Sequence, residues 1–312
     1  MTRRKMLRRG GTGRPVGVAA SRRASAAPIK RSGAEPFGYC LNTSTIRGQK
    51  LPLVEEIEIA AKAGYDAVEP WIDEIQEYVQ AGGKLKDLKK RIAGLGLTVQ
   101  SAIGFAAWIV DDPADRKKGL EVARRDMDLV RQIGGTQIAA PPFGASDQSD
   151  LDLLKAARRY RTLLELGEKM GVTPLVELWG FSKSLRRLGE VMFVATESGH
   201  PQASVLLDVY HIYKGGSDYA GLKLINGPSI GIFHFNDFPD SLPRSKISDS
   251  HRVYPGDGVA PLRTILRDVY DAGYRGHLSL ELFNRQYYQQ DALGVVRTGL
   301  RKMRSAVKKA MS

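Results

Sequence analysis

The sequence predicts a (β/α)8 barrel, and three observations carry that prediction. From Pro36 onward, short apolar runs alternate with amphipathic stretches eight times within about 275 residues, the count and size of such a barrel. Four of the runs carry a polar residue at or near their end: Pro174-Leu175-Val176-Glu177, Val205-Leu206-Leu207-Asp208, Gly231-Ile232-Phe233-His234 and Gly276-His277-Leu278-Ser279-Leu280-Glu281-Leu282-Phe283. Buried parallel strands have this design, each bringing one polar side chain to the rim of a sheet or barrel. Finally, the first strand is followed by Leu41-Asn42-Thr43-Ser44, with no G-x-G-x-x-G turn and no Walker loop, which argues against an open doubly wound sheet.

The elements follow in order. Phe37–Leu41 is the first strand, and the amphipathic run Leu53–Ala63 is a helix stopped by Gly64. Ala67–Trp71 is the second strand, with a helix from Leu85 to Ala93 ending at Gly94-Leu95-Gly96. Leu97–Ile103 is the third strand. Asp112-Pro113 then starts a helix with proline at its first position, and that helix runs to Gly134-Gly135. After the fourth strand, Gln137–Ala140, Leu153, Ala157, Tyr160 and Leu164 form one helical stripe in a helix ending at Gly171. In the second half, the strand ending at Glu177 precedes a helix expected over 184–197, and the strand ending at Asp208 precedes a weak helix over 219–225. The strand ending at His234 leads into the long loop 236–260, of a length usually reserved for function, and then a helix over 261–272 burying Leu262, Ile265, Leu266 and Val269. The strand ending at Glu281 precedes the last helix, with Leu293, Val296, Leu300, Met303 and Val307 in one stripe.

Composition narrows the function classes. The formal net charge of +13 suggests a nucleic-acid binder until it is located: residues 1–36 hold ten Lys or Arg against one acid, Glu35, and carry +9 of it, leaving +4 on the body. A nucleic-acid partner is therefore not expected. Residues 1–36 are read as a basic extension outside the fold, and 37–312 as a single barrel domain. Thr2-Arg3-Arg4-Lys5-Met6-Leu7 also resembles the start of a twin-arginine export signal, with Ala24-Ser25-Ala26 as a cleavage site; the two readings imply a cytoplasmic or an exported protein. The single cysteine, Cys40, rules out an internal disulfide framework and a Cys-rich zinc site. No apolar run is long enough for a membrane span.

Glu177, Asp208, His234 and Glu281 close strands five to eight, consecutive positions around one side of the ring, where a barrel places its chemistry. Three carboxylates packed together raise one another's pKa unless a cation neutralises them. Two Glu, one Asp and one His suit a divalent metal, Mn²⁺ first, with Mg²⁺, Co²⁺ or Zn²⁺ as alternatives.

These residues carry a family resemblance. Val176-Glu177, Asp208-x-x-His211, His234-x-x-Asp237, Arg252-x-x-Pro255-Gly256-x-Gly258, and Gly273-Tyr274-x-Gly276 leading into Ser279-x-Glu281 together make the chain from Phe37 onward resemble the xylose-isomerase-like barrel superfamily, in its sugar-phosphate isomerase/epimerase branch. The resemblance implies that Glu177, Asp208, His234 and Glu281 bind the metal. It also implies that the two glutamates move a proton off and onto a carbon beside a carbonyl, through a metal-stabilised enediolate. It places His211 on a substrate oxygen, with a loop carbonyl as that histidine's alternative partner, and makes Arg252 a substrate-orienting arginine, with a salt bridge to Asp237 or Asp257 as the alternative. Glu69 would hydrogen-bond sugar hydroxyls, with a structural pair as its alternative, and Trp71, Phe105, Trp108 and Trp179 would supply apolar walls. The implied substrate is a sugar, a sugar phosphate or an inosose-like ring, the last opening a dehydratase reaction, and the implied assembly a homodimer or homotetramer. Two further readings stand beside this one. Endonuclease IV, a metal-dependent phosphodiesterase, shares the superfamily and the pattern of Glu177, Asp208, His211, His234, Asp249-x-His251 and Glu281, but the histidines it needs after strands two and three are replaced by Glu69-Pro70-Trp71 and Ser101–Phe105. The third reading is a non-catalytic binding barrel.

Overall fold

The computed structural model describes residues 35–312; the twin-arginine-like start and Ala24-Ser25-Ala26 lie outside the described residues. Eight parallel strands are joined by helices: β1 Gly38–Asn42, β2 Ala67–Glu69, β3 Thr98–Val99, β4 Gln137–Ala140, β5 Thr173–Glu177, β6 Val205–Asp208, β7 Ile230–His234 and β8 His277–Leu280. Their order in the sheet is β3-β2-β1-β8-β7-β6-β5-β4. The ring closes between the two ends of that order, where the Ala139 N–H donates to the Ala102 carbonyl at 2.9 Å. The helices are α1 Leu53–Ala63, α2 Ile72–Gln80, α3 Leu85–Gly94, α4 Pro113–Gln132, α5 Leu153–Met170, α6 Leu188–Glu197, α7 Val209–Gly215, α8 Leu262–Asp271 and α9 Ala292–Met311. Among the described residues none is long and apolar enough to cross a membrane.

The period of two along each strand sorts the core. Cys40, Ala67, Ile103, Ala139, Leu175, Leu206 and Ile232 pack together as a layer inside the ring. Their neighbours Leu41, Val68, Val176, Leu207, Phe233 and Leu278 face the helices and belong to the larger outer core. Two residues beyond the inner layer, the same inward face carries Asn42, Glu69, Glu177, Asp208 and His234. The polar rim is thus a second layer stacked on an apolar floor.

Besides β3, which spans only Thr98–Val99 of the expected Leu97–Ile103, three elements differ from the sequence expectation, each for a local reason. α2 is absent from that expectation: it is short and buries only Ile72 and Ile75, too few positions to show a helical period. The helix expected from Ser184 begins at Leu188, because Leu185 holds a left-handed φ of 47° that no α-helix accommodates. The helix expected over 219–225 is a 3₁₀ turn, Tyr219–Leu224, and the α-helix of that unit is α7, which starts at once after β6 with the Asp208 carboxylate accepting from the His211 N–H at 2.8 Å as its cap. In α9 the buried stripe opens on Ala292 and Val295, with Leu293 only half-buried.

Tyr160 on α5 shows how the outer ring is tied to the sheet. Its buried hydroxyl lies 2.7 Å from the carbonyls of Pro174 and Ser204 and accepts from the N–H groups of Val176 and Ser204 at 3.3 Å, bridging β5 to the entry of β6. Tyr160→Phe removes the buried hydroxyl's bonds, although the Val176 N–H still donates to the Ser204 carbonyl at 3.1 Å. It is expected to cost about 1–3 kcal/mol of unfolding free energy, read as a lower denaturant midpoint with an unchanged slope.

Candidate metal and active site

Asp208 ends β6, His234 ends β7, and Glu281 follows β8 by one residue. One ligand atom from each falls within 4.8 Å of the others, and all three side chains are buried. Among the described residues this is the one such group. Glu177, expected as a fourth ligand, is not part of it. The strand register gives the reason: Asp208 pairs with His234 and His234 with Ser279, whereas Glu177 pairs with Leu206, two residues short of Asp208 along the strand direction. Glu177 instead lines the adjoining cavity, as Glu281 also does.

The imidazole of His234 is oriented from below. Its Nε2 lies 3.0 Å from Glu69 Oε2, which also accepts from Asn42 Nδ2 at 3.0 Å and from Ser279 Oγ at 2.7 Å. His234 Nδ1 faces Glu281 Oε2 at 3.0 Å and Asp208 Oδ2 at 3.6 Å, yet it makes no hydrogen bond of acceptable geometry with either. A buried nitrogen aimed between two carboxylates, with a carboxylate behind its other nitrogen, is the arrangement of a metal-ligating histidine. The donor set therefore fits a divalent cation. Glu69 is fully buried beneath His234 and does not line the cavity, so the expected contact with substrate hydroxyls is corrected to its alternative, a structural pair with the histidine.

Arg252 supplies positive charge to the same point. Its Nη1 donates to Asp208 Oδ2 at 2.9 Å and to Glu281 Oε2 at 2.7 Å, and Nη2 pairs with Asp249. It does not bridge to Asp237 or Asp257. Asp237 is occupied elsewhere. Its carboxylate accepts the N–H groups of Phe238, Gly256, Gly258 and Ala260 at 2.8–3.1 Å and so ties both ends of the loop 236–260 together. A Cβ on Gly258 would stand 2.2 Å from the Phe238 carbonyl, so only glycine permits that closure. The closed loop is what delivers Arg252. Its guanidinium sits 4.7 Å over the Tyr210 ring and 5.2 Å over Phe283.

His211 lies on α7 and reaches the cavity. Its Nδ1 accepts from the Gly180 N–H at 3.3 Å, and Nε2 lies 3.0 Å from Arg252 Nη2, so it is not held by a loop carbonyl. With Nδ1 accepting, the proton of the neutral ring sits on Nε2, and two donors face one another. An acceptor oxygen between them would satisfy both.

Electrostatics divide the acids. Burial pushes Glu177 up to about 8, helped by Glu281 and Asp208 and opposed by His234. Burial also works against the charge of Asp208 and Glu281, yet Arg252 and His211 hold Asp208, and His234 and Arg252 hold Glu281, below the usual carboxylate range. His234 is raised well above its ordinary value, against its burial, by Glu281 and Glu69. Burial lowers His211, which favours its neutral form.

The cavity over this rim encloses about 530 Å³ and is lined by Trp71, Phe105 and Trp179 as expected. Trp108 is a correction. It is fully buried away from the cavity, its Nε1 donating to the Pro141 carbonyl at 2.9 Å and its ring 5.7 Å from Tyr160. A tryptophan shortly after a strand is packed by its outer neighbours as readily as by the rim, and the sequence pattern does not separate the two. Asn42 and Asn236 belong to the site although no motif marks them. Asn236 donates to Asp208 Oδ2 at 3.1 Å, and Asn42 joins Glu69 to Glu281. A signal for Asn42 is present in the sequence: it closes β1 as Asp208 closes β6.

A family model described as xylose isomerase-like TIM barrel matches residues 57–306. The inosose isomerase of Halalkalibacterium halodurans is 24% identical over 263 residues, 83% of this chain and 92% of that protein. The fructoselysine 3-epimerase of Escherichia coli O157:H7 is 24% identical, covering 75% of this chain and 86% of its own. The 3-dehydroshikimate dehydratase of Pseudomonas putida is 26% identical over 74% of this chain but only 36% of that longer protein. Among solved structures, the IOLI protein with a bound zinc atom superposes with a TM-score of 0.81 at 21% identity, over 88% of this chain and 99% of that one.

Two expectations follow from the geometry. Glu69→Ala should weaken divalent-cation binding, measured by calorimetry on the purified protein, by about 10- to 100-fold, with Glu69→Gln retaining more because an amide oxygen still accepts from His234. Unchanged affinity in Glu69→Ala would remove the positioning role. Cation binding should also release a proton at pH 7, since His234 holds its proton there and gives one up to ligate. Apparent affinity then rises with pH, by up to about tenfold per unit for the proton displaced. Mn²⁺ titrations at several pH values in weak buffer test the sign.

Proposed function

The chain belongs to the xylose isomerase-like TIM barrel family, and from that premise we propose that it is an isomerase or epimerase of a sugar or sugar-like polyol, acting by proton transfer at the carbon next to a carbonyl. The observation that carries this reading is the separation of the acids. Asp208 and Glu281 stand with His234 in a ligand group, while Glu177 stands outside it, buried and on the cavity lining. A carboxylate with a pKa near 8 changes protonation close to neutral pH, where a general acid/base is most effective.

Asp208, His234 and Glu281 would hold one divalent cation, and their oxygen-rich set supports Mn²⁺. When bound, that cation would polarise the substrate carbonyl and its neighbouring hydroxyl and so acidify the C–H between them. Glu177 takes the proton from one side of the carbon. Glu177 can return it at the neighbouring carbon and so move the carbonyl, while inverting the centre would need Glu281, which also lines the cavity, in its protonated form on another side. His211 Nε2 and Arg252 donate to a substrate oxygen between them, relieving their mutual opposition and fixing which carbon faces Glu177. The same proton removal followed by loss of a neighbouring hydroxyl is a dehydration, the reaction in the name of the Pseudomonas putida relative. The nuclease reading finds no support in the rim, where Glu69 and Ser101 stand in place of histidines, and where His251 is engaged by Ser248.

The test is a screen of inososes, ketoses and their phosphates with Mn²⁺ in deuterated water, following label uptake beside the carbonyl. Glu177→Gln should lower that uptake by about 100-fold or more while cation affinity persists, and Asp208→Asn should lose the cation itself. Wild-type exchange in Glu177→Gln would exclude it as the base.

A further inference from the structure

The cavity has two unlike sides. Loop 236–260 gives it a polar side, with Ser248, Asp249, Ser250 and Arg252. The other part of its lining is a chain of rings carried by the ends of four other units, which meets Arg252 at Phe283 and His211 at Phe181: Phe283 lies 6.0 Å from Trp71, Trp71 5.3 Å from Phe105, Phe105 6.1 Å from Trp179 and Trp179 5.1 Å from Phe181. The chain begins beside Glu281 and runs outward to Phe181, which is 50% exposed, and to Phe143, 5.7 Å from Phe105 and 43% exposed. Trp71 has no polar handle left to offer, since its Nε1 already donates to Asn42 Oδ1 at 2.9 Å.

A bare polyol presents hydroxyls in every direction. One apolar face of a sugar ring is covered by one or two aromatic side chains; five in a continuous arc, ending in half-exposed rings, would leave most of that surface facing hydroxyls or water. We propose that the substrate is a keto-polyol bearing an apolar, ring-containing substituent, and that the arc from Trp71 through Phe105 and Trp179 to Phe181 is the subsite for that substituent. This rests on the proton-transfer reading above: the polyol part occupies the polar side against Arg252 and His211, with the reacting carbon at Glu177. The substituent then projects across the rim into the rings, where offset and edge-on contacts with a planar group are available.

The probes are paired glycosides, phenyl and methyl β-glycosides of glucose, galactose and xylose, titrated into the full-length Mn²⁺-loaded protein with calorimetry and tryptophan fluorescence as readouts. At least one phenyl glycoside should bind about tenfold more tightly than its methyl partner and quench the fluorescence, and Trp179→Ala should erase that difference. Phe181→Ala, at a half-exposed position whose loss leaves the core intact, should reduce it severalfold and serves if Trp179→Ala does not fold. A panel in which no phenyl glycoside outbinds its methyl partner overturns the proposal, as does a preference that both variants keep. Binding is scored apart from turnover. A phenyl preference without deuterium exchange on any ketose keeps the subsite and removes the reaction; exchange without the preference does the reverse.

Discussion

Charge balance in a dry rim is the constraint that shapes the rest of this barrel. Glu69, Asp208 and Glu281 are buried together, and an isolated buried carboxylate costs several kcal/mol unless it is paired and hydrogen-bonded. Among the described residues, two cationic side chains pair with them, and each serves more than one acid. Arg252 joins Asp208 to Glu281, and His234 stands between Glu281 and Glu69. Much of the surrounding architecture follows from placing those two. His234 needs Glu69, Asn42 and Ser279 beneath it, so β1, β2 and β8 must carry small or polar residues on their inner face. Arg252 arrives only because Asp237 gathers four backbone N–H groups and folds a long loop back over the rim.

Much of the fold could be read from the sequence because it depends on two periods that the residues state directly. The alternation of apolar runs with amphipathic stretches predicts the eight units, and α1, α4 and α5 lie where their stripes and stop signals put them. What escapes are elements held by a single side-chain or backbone event. α7 exists because one carboxylate, Asp208, caps it, and the shortened start of α6 reflects the left-handed backbone at Leu185. Neither event leaves a periodic trace.

The site is legible to the extent that it is made of strand ends. Asp208, His234 and Glu281 come together, with His211 and Arg252 close by, because the apolar runs mark the rim from which each of the three ligand-group residues projects. Register is not legible: whether Glu177 joins the ligand group or stands beside it depends on how β5 is staggered against β6, which no single strand encodes. Glu69 and Trp108 are ambiguous in the sequence for a related reason. A rim residue on an inward face can point up toward the cavity or serve the layer it stands on, and a tryptophan after a strand can face either side. Only the neighbours decide, and Glu69 finds three hydrogen-bond partners at its own level.

The stagger that separates Glu177 from the ligand group also bears on what the barrel can do. Had Glu177 met the other three at one point, the same positive charge would also hold it ionised. With Glu177 set apart, burial raises its pKa while Arg252 and His234 keep Asp208 and Glu281 ionised. Acids of one rim thus acquire opposite protonation preferences from their surroundings alone. The aromatic arc adds to this difference. It lines the same cavity as Glu177, and burial against its apolar surface favours the proton on Glu177, in opposition to the Trp179 hydrogen bond that favours the carboxylate, while Arg252 holds the ionised pair. A substituent packed against those rings would exclude more water and sharpen the same division, coupling the recognition of the substrate to the protonation of the residue that acts on it.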